Sequence, residues 1–101
     1  MPTPKMYVLV RRDLSETYRI VQGSHALAKY ALEHYEPFQQ WGNETIIYLG
    51  VQNLISLREW NLKLAKAGKI FSTWREPDLD HQETALACYD DGRIFEGLRM
   101  A

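Results

Sequence analysis

Two groups of side chains have the types and spacing to do chemistry. The first is Arg11, Arg12, Asp13, Arg19, Gln22, Ser24 and His25. Guanidinium groups are planar forks of N–H donors that match phosphate oxygens. A helix starting behind them adds unpaired backbone N–H groups and the positive end of its dipole. The group therefore reads as a site for a phosphate-bearing ligand, or else as a solvated loop in which Arg12 and Asp13 meet water. His25 has the chemistry of a general base, because imidazole titrates near neutrality. The plainer reading is a helix histidine bonded to a neighbouring loop. Ser24 and His25 are adjacent, and adjacent helical residues do not face each other, so they do not form a nucleophile–base pair. No Gly-x-Ser-x-Gly elbow occurs.

The second group is Glu76, Asp78, Asp80 and His81. Glu76 or Asp78 could accept a proton or position a water, although a loop rich in acids is also what solvent favours. No metal-ligand spacing of an established type occurs here, so no metal is expected. Cys88 lies in a strand-like run and reads as a small core residue. Trp41, Trp60 and Trp74 have the surfaces to stack on bases. Trp60 reads as core, whereas Trp74 borders the acidic loop and is the one placed to meet a ligand.

The elements that must position these groups follow from hydrophobic spacing. Residues 6–10, Met-Tyr-Val-Leu-Val, read as a buried central strand, followed by a polar loop at 11–16. Helical spacing runs from about Tyr18 to Tyr35, with Leu27, Ala31 and Tyr35 on one stripe and Ala28 and Leu32 beside it. Ser15 or Thr17 would cap its start, and Pro37 would end it. Gly23 inside this helix costs about 1 kcal/mol relative to alanine, so it serves a close approach or makes room for a ligand. Trp41-Gly42-Asn43 reads as a turn, and residues 45–51 form the clearest strand. Asn53 would cap a second helix, with Ser56 and Glu59 as a capping box one turn later. Leu57, Trp60 and Leu64 would form its apolar face, and Gly68 would end it. Strands are expected at 69–74 and 84–89, with a polar loop at 76–82 between them. Asp90-Asp91-Gly92 then turns into a tail holding one helical turn and an extended end.

This β-α-β-α-β-β order predicts one α/β domain over residues 1–101, with a mixed four-stranded sheet flanked by helices. Strands separated by helices should run parallel through right-handed crossovers, and the last two strands can pair antiparallel. Ligands of such sheets bind beyond the carboxyl ends of the strands. That rule selects the loops at 11–17 and 75–82, which hold both groups of side chains.

A chain of 101 residues with 46% hydrophobic and 25% charged residues suffices for one domain and excludes general disorder. Net charge is −1, from 12 Lys and Arg against 13 Asp and Glu. Nucleic-acid binding would therefore need a local basic patch, for which Arg11, Arg12 and Arg19 are the candidates. A single cysteine argues for a reducing compartment. No apolar run reaches the roughly 20 residues that span a bilayer. The start, Met1-Pro2-Thr3-Pro4-Lys5, lacks the apolar core of a signal peptide, so a cytoplasmic protein without membrane association is expected. The oligomeric state stays open, a homodimer included.

The run Val8-Leu9-Val10-Arg11-Arg12-Asp13-Leu14, followed by Val21-Gln22-Gly23-Ser24-His25-Ala26, resembles the type 2 peptidyl-tRNA hydrolase family, in particular its divergent hydrolase-like branch. That family shows a Val-Leu-Val-Val-Arg-x-Asp-Leu strand end and then Ala-Gln-Cys-Ser-His-Ala. Thr84-Ala85-Leu86-Ala87 is similar to its last core strand, which also begins at a threonine. The resemblance covers nearly the whole chain. It implies the same mixed four-stranded sheet, no organic cofactor, tRNA as partner, and hydrolysis of the ester joining a peptide to the tRNA 3′ end. It also implies phosphate contacts from Arg12 and Arg19, a pocket lined by Gln22 and His25, water oriented by Glu76 or Asp78, and a hydrogen bond from Thr84. Two departures stand beside it. The place of the family's lysine before the first helix holds Tyr18, next to Arg19. Its Asp-Ala-Gly-x-Thr-Gln loop is replaced by Trp74-Arg75-Glu76-Pro77-Asp78-Leu79. A catalytically inactive tRNA- or nucleotide-binding module, or an esterase acting on a small nucleotide or acyl ester, are the alternatives these departures favour.

Overall fold

In the computed structural model, which describes residues 3–101, a mixed five-stranded sheet in the order β3-β4-β1-β2-β5 carries three α-helices. Met1 and Pro2, expected to lead into the first strand, lie outside the described residues. β1 (Lys5–Arg11) is central because it is apolar on both faces. Its Met6, Val8 and Val10 pack beneath α1 (Glu16–Glu33) and α2 (Tyr35–Trp41), while Tyr7 and Leu9 pack against α3 (Leu54–Lys66). β1 runs parallel to β2 (Ile46–Val51) and antiparallel to β4 (Gln82–Asp90). β4 in turn pairs antiparallel with the edge strand β3 (Phe71–Glu76). The mixed parallel and antiparallel pattern is the one the element order predicts.

The count of four strands is corrected to five. Arg99–Met100 forms β5, antiparallel to Leu49 and Gly50, and Ala101 N donates to Tyr48 O at 3.0 Å. Two residues are too few to display a period, so the backbone pairing carries this strand without a sequence signal. β3 also lies two residues later than spacing indicates. Glu76 therefore ends a strand instead of opening a loop.

The first helix spans Glu16–Glu33 where Tyr18 to Tyr35 was expected, and it is followed by a second helix, α2, that the sequence reading did not include. Ser15 caps α1, its Oγ accepting from Tyr18 N at 3.2 Å, and the helix breaks at His34, which has φ −133° and ψ 65°. Pro37 does not end it. Pro37 sits in the first turn of α2, where backbone N–H groups have no intrahelical acceptor to lose. The buried face of α1 is also different, consisting of Gln22, Gly23, Ala26 and Tyr30. Leu32 and Tyr35, expected inside, are 87% and 64% exposed. The cause is the edge strand beneath the helix. Lys29 Nζ donates to Thr73 O at 2.8 Å, His34 Nε2 meets Phe71 O at 3.2 Å, and Ser72 Oγ donates to Glu33 at 2.6 Å. Polar side chains of α1 thus satisfy β3, which would otherwise offer an open pairing edge. Gly23 admits the Tyr48 ring of β2. A Cβ there would lie 2.4 Å from Tyr48 Cε2, so the glycine serves a close approach and not a ligand.

α3 begins on Asn53, whose Oδ1 accepts from Ser56 N at 3.0 Å, so Ser56 is the partner of a cap and not a cap itself. It ends in a Schellman arrangement at Gly68 (φ 70°), with Lys69 N donating to Leu64 O at 3.0 Å and Gly68 N to Ala65 O at 3.1 Å. No helix among the described residues is long and apolar enough to cross a membrane.

Cys88 and Tyr30 are both fully buried, and burial pushes each up to about 12. In the unfolded chain a thiol ionises near ~8.5 and a phenol near ~10. Between those values and about 12 the unfolded state binds fewer protons than the folded one, so stability falls as pH rises. Urea unfolding at pH 7 and pH 11 should give a clearly lower free energy at pH 11. Cys88→Ala should reduce that loss while lowering stability at pH 7 only modestly.

Candidate functional site

At the carboxyl end of β3 the sheet is irregular, and the irregularity builds a site. Trp74 pairs with Ala85 and Arg75 with Glu83, so Thr84 is an extra residue in β4. Such a bulge breaks strict alternation and re-aims a side chain. Ala85 packs beneath α1, and Thr84 turns to the same helix, where its Oγ1 donates to Gln22 Oε1 at 2.6 Å. Gln22 Nε2 then donates to Glu76 Oε1 at 3.0 Å, and Glu76 Oε2 accepts from Asp78 N at 3.1 Å. Gln22 and Thr84 are fully buried, and Glu76 is 7% exposed. The amide orientation follows from the partners, because an ionised carboxylate only accepts and so must face the NH₂.

Glu76 is held below the usual carboxylate range. The Asp78 backbone N–H is the main cause and the Gln22 amide the second, both acting against burial. The Trp74 N–H and the charge of His25 add smaller pulls. The Trp74 contribution is one of proximity, since Trp74 Nε1 is buried without a partner in hydrogen-bond geometry among the described residues. His25 stacks on Trp74, with ring centroids 4.7 Å apart and planes at 17°. Tyr18 joins the same rim, its phenol pushed up by burial first and then by the Glu76 and Asp78 carboxylates. Tyr18, Gln22 and His25 lie at i, i+4 and i+7, one flank of α1. The loop below them is tight. After a 3₁₀ turn at Pro77–Leu79, both Asp80 (φ 52°) and His81 (φ 58°) are left-handed, which costs on the order of 1 kcal/mol or more each. Chemically, the arrangement can hold an anionic acceptor fixed beside an aromatic shelf.

Of the residues singled out in the sequence, Gln22, His25, Trp74, Glu76, Asp78 and Thr84 come together here. The arginines do not. Arg11 turns toward the other face of the sheet and is buried. Its Nε and Nη2 grip Asp13 at 3.0 and 2.8 Å, and its Nη1 donates to Gln82 Oε1 at 3.0 Å and Glu83 O at 3.1 Å. These bonds use most of its donors and hold the Asp13 carboxyl below its usual range. Arg19 secures the loop ahead of α1, donating to Leu14 O at 2.8 Å and Arg12 O at 2.7 Å. Ser24 donates back to Ile20 O at 2.9 Å, on the exposed side of the helix. Arg12 is exposed, and its stem lies across Gly50, where a Cβ would sit 2.6 Å from Arg12 Cδ. Near it, on the opposite flank of α1 from Gln22, a cavity of about 540 Å³ is lined by Glu16, Arg19, Ile20, Tyr48 and Ala101.

Glu83 went unnoticed in the sequence. It is buried between Arg58 (3.1 and 3.3 Å) and Arg75 (3.8 Å). Burial pushes its carboxyl up, but the Arg58 hydrogen bond and charge outweigh that and leave it low. The two residues are 25 positions apart, so local spacing carried no signal. Among the described residues no group of three or more His, Cys, Asp or Glu could hold a metal ion.

The fold and site together define an α/β domain with a mixed five-stranded sheet and a buried, ionised carboxylate at the end of its edge strand. In fold it is similar to a protein of unknown function, Atu0240, from Agrobacterium tumefaciens strain C58. The TM-score is 0.73 at 12% identity, over 100% of this chain and 99% of that one. No family model and no curated protein matches the sequence.

Thr84→Val keeps the shape but leaves Gln22 Oε1 buried without a donor, which should cost about 1–3 kcal/mol in urea unfolding. Thr84→Ser should cost clearly less. The low carboxyls of Asp13, Glu76, Glu83 and Asp91 contribute stability above the ordinary carboxylate range, and it is lost as pH falls through their folded values. Thermal melts should therefore be flat from pH 7 to about 5 and drop steeply below about 4.

Proposed function

We propose that the protein is a peptidyl-tRNA hydrolase-like esterase, acting on the ester between a peptide or N-blocked amino acid and tRNA. The observation that carries this reading is the Thr84–Gln22–Glu76 chain of hydrogen bonds. It joins residues 54 and 62 positions apart; Gln22 and Thr84 lie within the family-like segments of the sequence, and Glu76 lies in the stretch that replaces the family's Asp-Ala-Gly loop. Water attacks the ester carbonyl carbon, and the tRNA 3′ oxygen leaves with a proton. The ionised Glu76 accepts a hydrogen bond from that water and fixes its direction of attack. A low-lying carboxylate is a weak proton acceptor, so Glu76 positions the water and His25 takes its proton. The Trp74 and His25 rings form the wall against which the substrate end rests. Arg12 and the outer donors of Arg19 meet the phosphate backbone.

A second reading is a binding module of the same fold without turnover. Three observations favour it: both Glu76 oxygens already hold protein hydrogen bonds, the Thr84 hydroxyl is engaged by Gln22, and Tyr18 stands where the family carries lysine.

Incubation of the purified protein with N-acetyl-aminoacyl-tRNA separates these. The esterase reading expects release of the N-acetyl amino acid, reduced at least ~100-fold by Glu76→Gln and by His25→Ala. Binding of the intact tRNA without release selects the second reading. Neither binding nor release, under conditions where a family control is active, overturns both.

A further inference from the structure

The cavity of about 540 Å³ between α1 and the Tyr48 end of the β2–β5 pair lies outside the Glu76 site, on the other flank of the helix. Its volume is in the range of cavities that hold small-molecule ligands. Two charges of opposite sign line it without meeting each other. Among the described residues, neither Glu16 nor Arg19 is in a salt bridge. Arg19 Nε and Nη2 donate to the neutral Leu14 and Arg12 carbonyls at 2.8 and 2.7 Å. Those bonds fix the plane of the guanidinium, leave its charge uncompensated and spend none of its Nη1 donors. The rest of the lining is apolar or aromatic: exposed Ile20, half-buried Tyr48 and Ala101. Two glycines shape the wall. Gly23 lets the Tyr48 ring close against α1, and Gly50 lies under the stem of Arg12, with Ala101 Cα 3.5 Å from where a Cβ would stand.

We infer that this cavity binds a free α-amino acid with a large apolar side chain. Glu16 and Arg19 are three residues apart on one helix, which sets their Cβ atoms about 5–6 Å from each other. Unpaired groups of opposite charge that close together match a ligand whose ammonium and carboxylate stem from one carbon. The carboxylate takes the unused Arg19 donors, and the ammonium donates to Glu16. The ligand's side chain then rests on Ile20 and the Tyr48 ring. A phosphate ester would suit Arg19 equally but would bring its negative charge beside Glu16, and a fatty acid would leave Glu16 without a partner. The site needs neither tRNA nor turnover at Glu76, so its failure leaves the functional reading standing. On that reading, the ligand's carboxylate occupies donors of Arg19 that a tRNA phosphate would otherwise use.

A ¹H–¹⁵N NMR titration of the full chain with L-phenylalanine up to about 10 mM tests it. The expected result is saturable shifts of the Glu16, Arg19, Ile20, Tyr48 and Ala101 amides, with a Kd between about 10 µM and 1 mM. N-acetyl-L-phenylalanine, L-phenylalaninamide and glycine each lack one of the three recognised groups and should bind at least ~10-fold more weakly. Glu16→Gln, at an exposed position, should weaken L-phenylalanine at least ~10-fold and leave N-acetyl-L-phenylalanine unchanged. A merely structural role of Glu16 would move both. No saturable shift, shifts centred on Trp74 instead, or N-acetyl-L-phenylalanine binding as tightly as the free amino acid each overturn the inference. Shifts at these amides with adenosine 5′-monophosphate but not with L-phenylalanine overturn it too, and assign the cavity to a nucleotide.

Discussion

The Gln22 side-chain amide, sealed between the Thr84 hydroxyl and the Glu76 carboxylate, is the interaction on which the rest of this structure turns. A primary amide buried completely must find partners at both ends, because an unpaired buried polar group costs on the order of several kcal/mol in an apolar medium. Meeting that demand ties together an α-helix, an edge strand and the strand beside it. It also brings a carboxylate into a nearly closed position and holds it ionised there.

Several features that look unrelated serve this joint. The bulge in β4 turns Thr84 toward α1 instead of the opposite face. The tight 77–81 loop lets Asp78 N reach the second Glu76 oxygen, at the expense of two left-handed residues. Gly23, next to Gln22, lets Tyr48 approach α1 from β2. Lys29, Glu33 and His34 continue the same pattern along β3, so the helix meets the edge strand through polar contacts beside its apolar packing on the centre of the sheet. Ile20, Val21 and Leu32 of α1 are left exposed as a consequence. On the other side of the sheet, Arg11 and Glu83 anchor the same strand ends with Asp13 and Arg58, and that work removes Arg11 from any ligand.

Much of this was legible in the sequence, and the failures have physical causes. The central strand, the caps at Ser15 and Asn53, the stop at Gly68 and the order of helices and strands follow local rules of periodicity and capping. Gln22, Glu76 and Thr84 stood out as separate candidates, but nothing local says that they touch. Thr84 reaches Gln22 only because of a bulge, and a bulge depends on the neighbouring strand. Counting apolar residues selected the wrong face of α1, because beside the apolar core under Ala26 and Tyr30 the helix also covers an edge strand, whose open carbonyls call for the polar side chains of Lys29 and His34. The arginines read as a cluster because they are close in sequence. Strand alternation separates Arg11 from Arg12, and backbone carbonyls engage Arg19. β5 was invisible, being two residues long and held by backbone alone.

For function, a carboxylate kept ionised is suited to orienting a water or a donor group of a ligand rather than to storing a proton. The esterase and binding readings both rest on that charge state. A ¹³C NMR titration of the Glu76 side-chain carboxyl, assigned through Glu76→Gln, reads it directly. The account predicts a carboxylate that stays ionised below the ordinary glutamate range and shifts upward in Thr84→Val, where the Gln22 amide loses its anchor. A Glu76 carboxyl that takes up its proton at or above the ordinary range would contradict it.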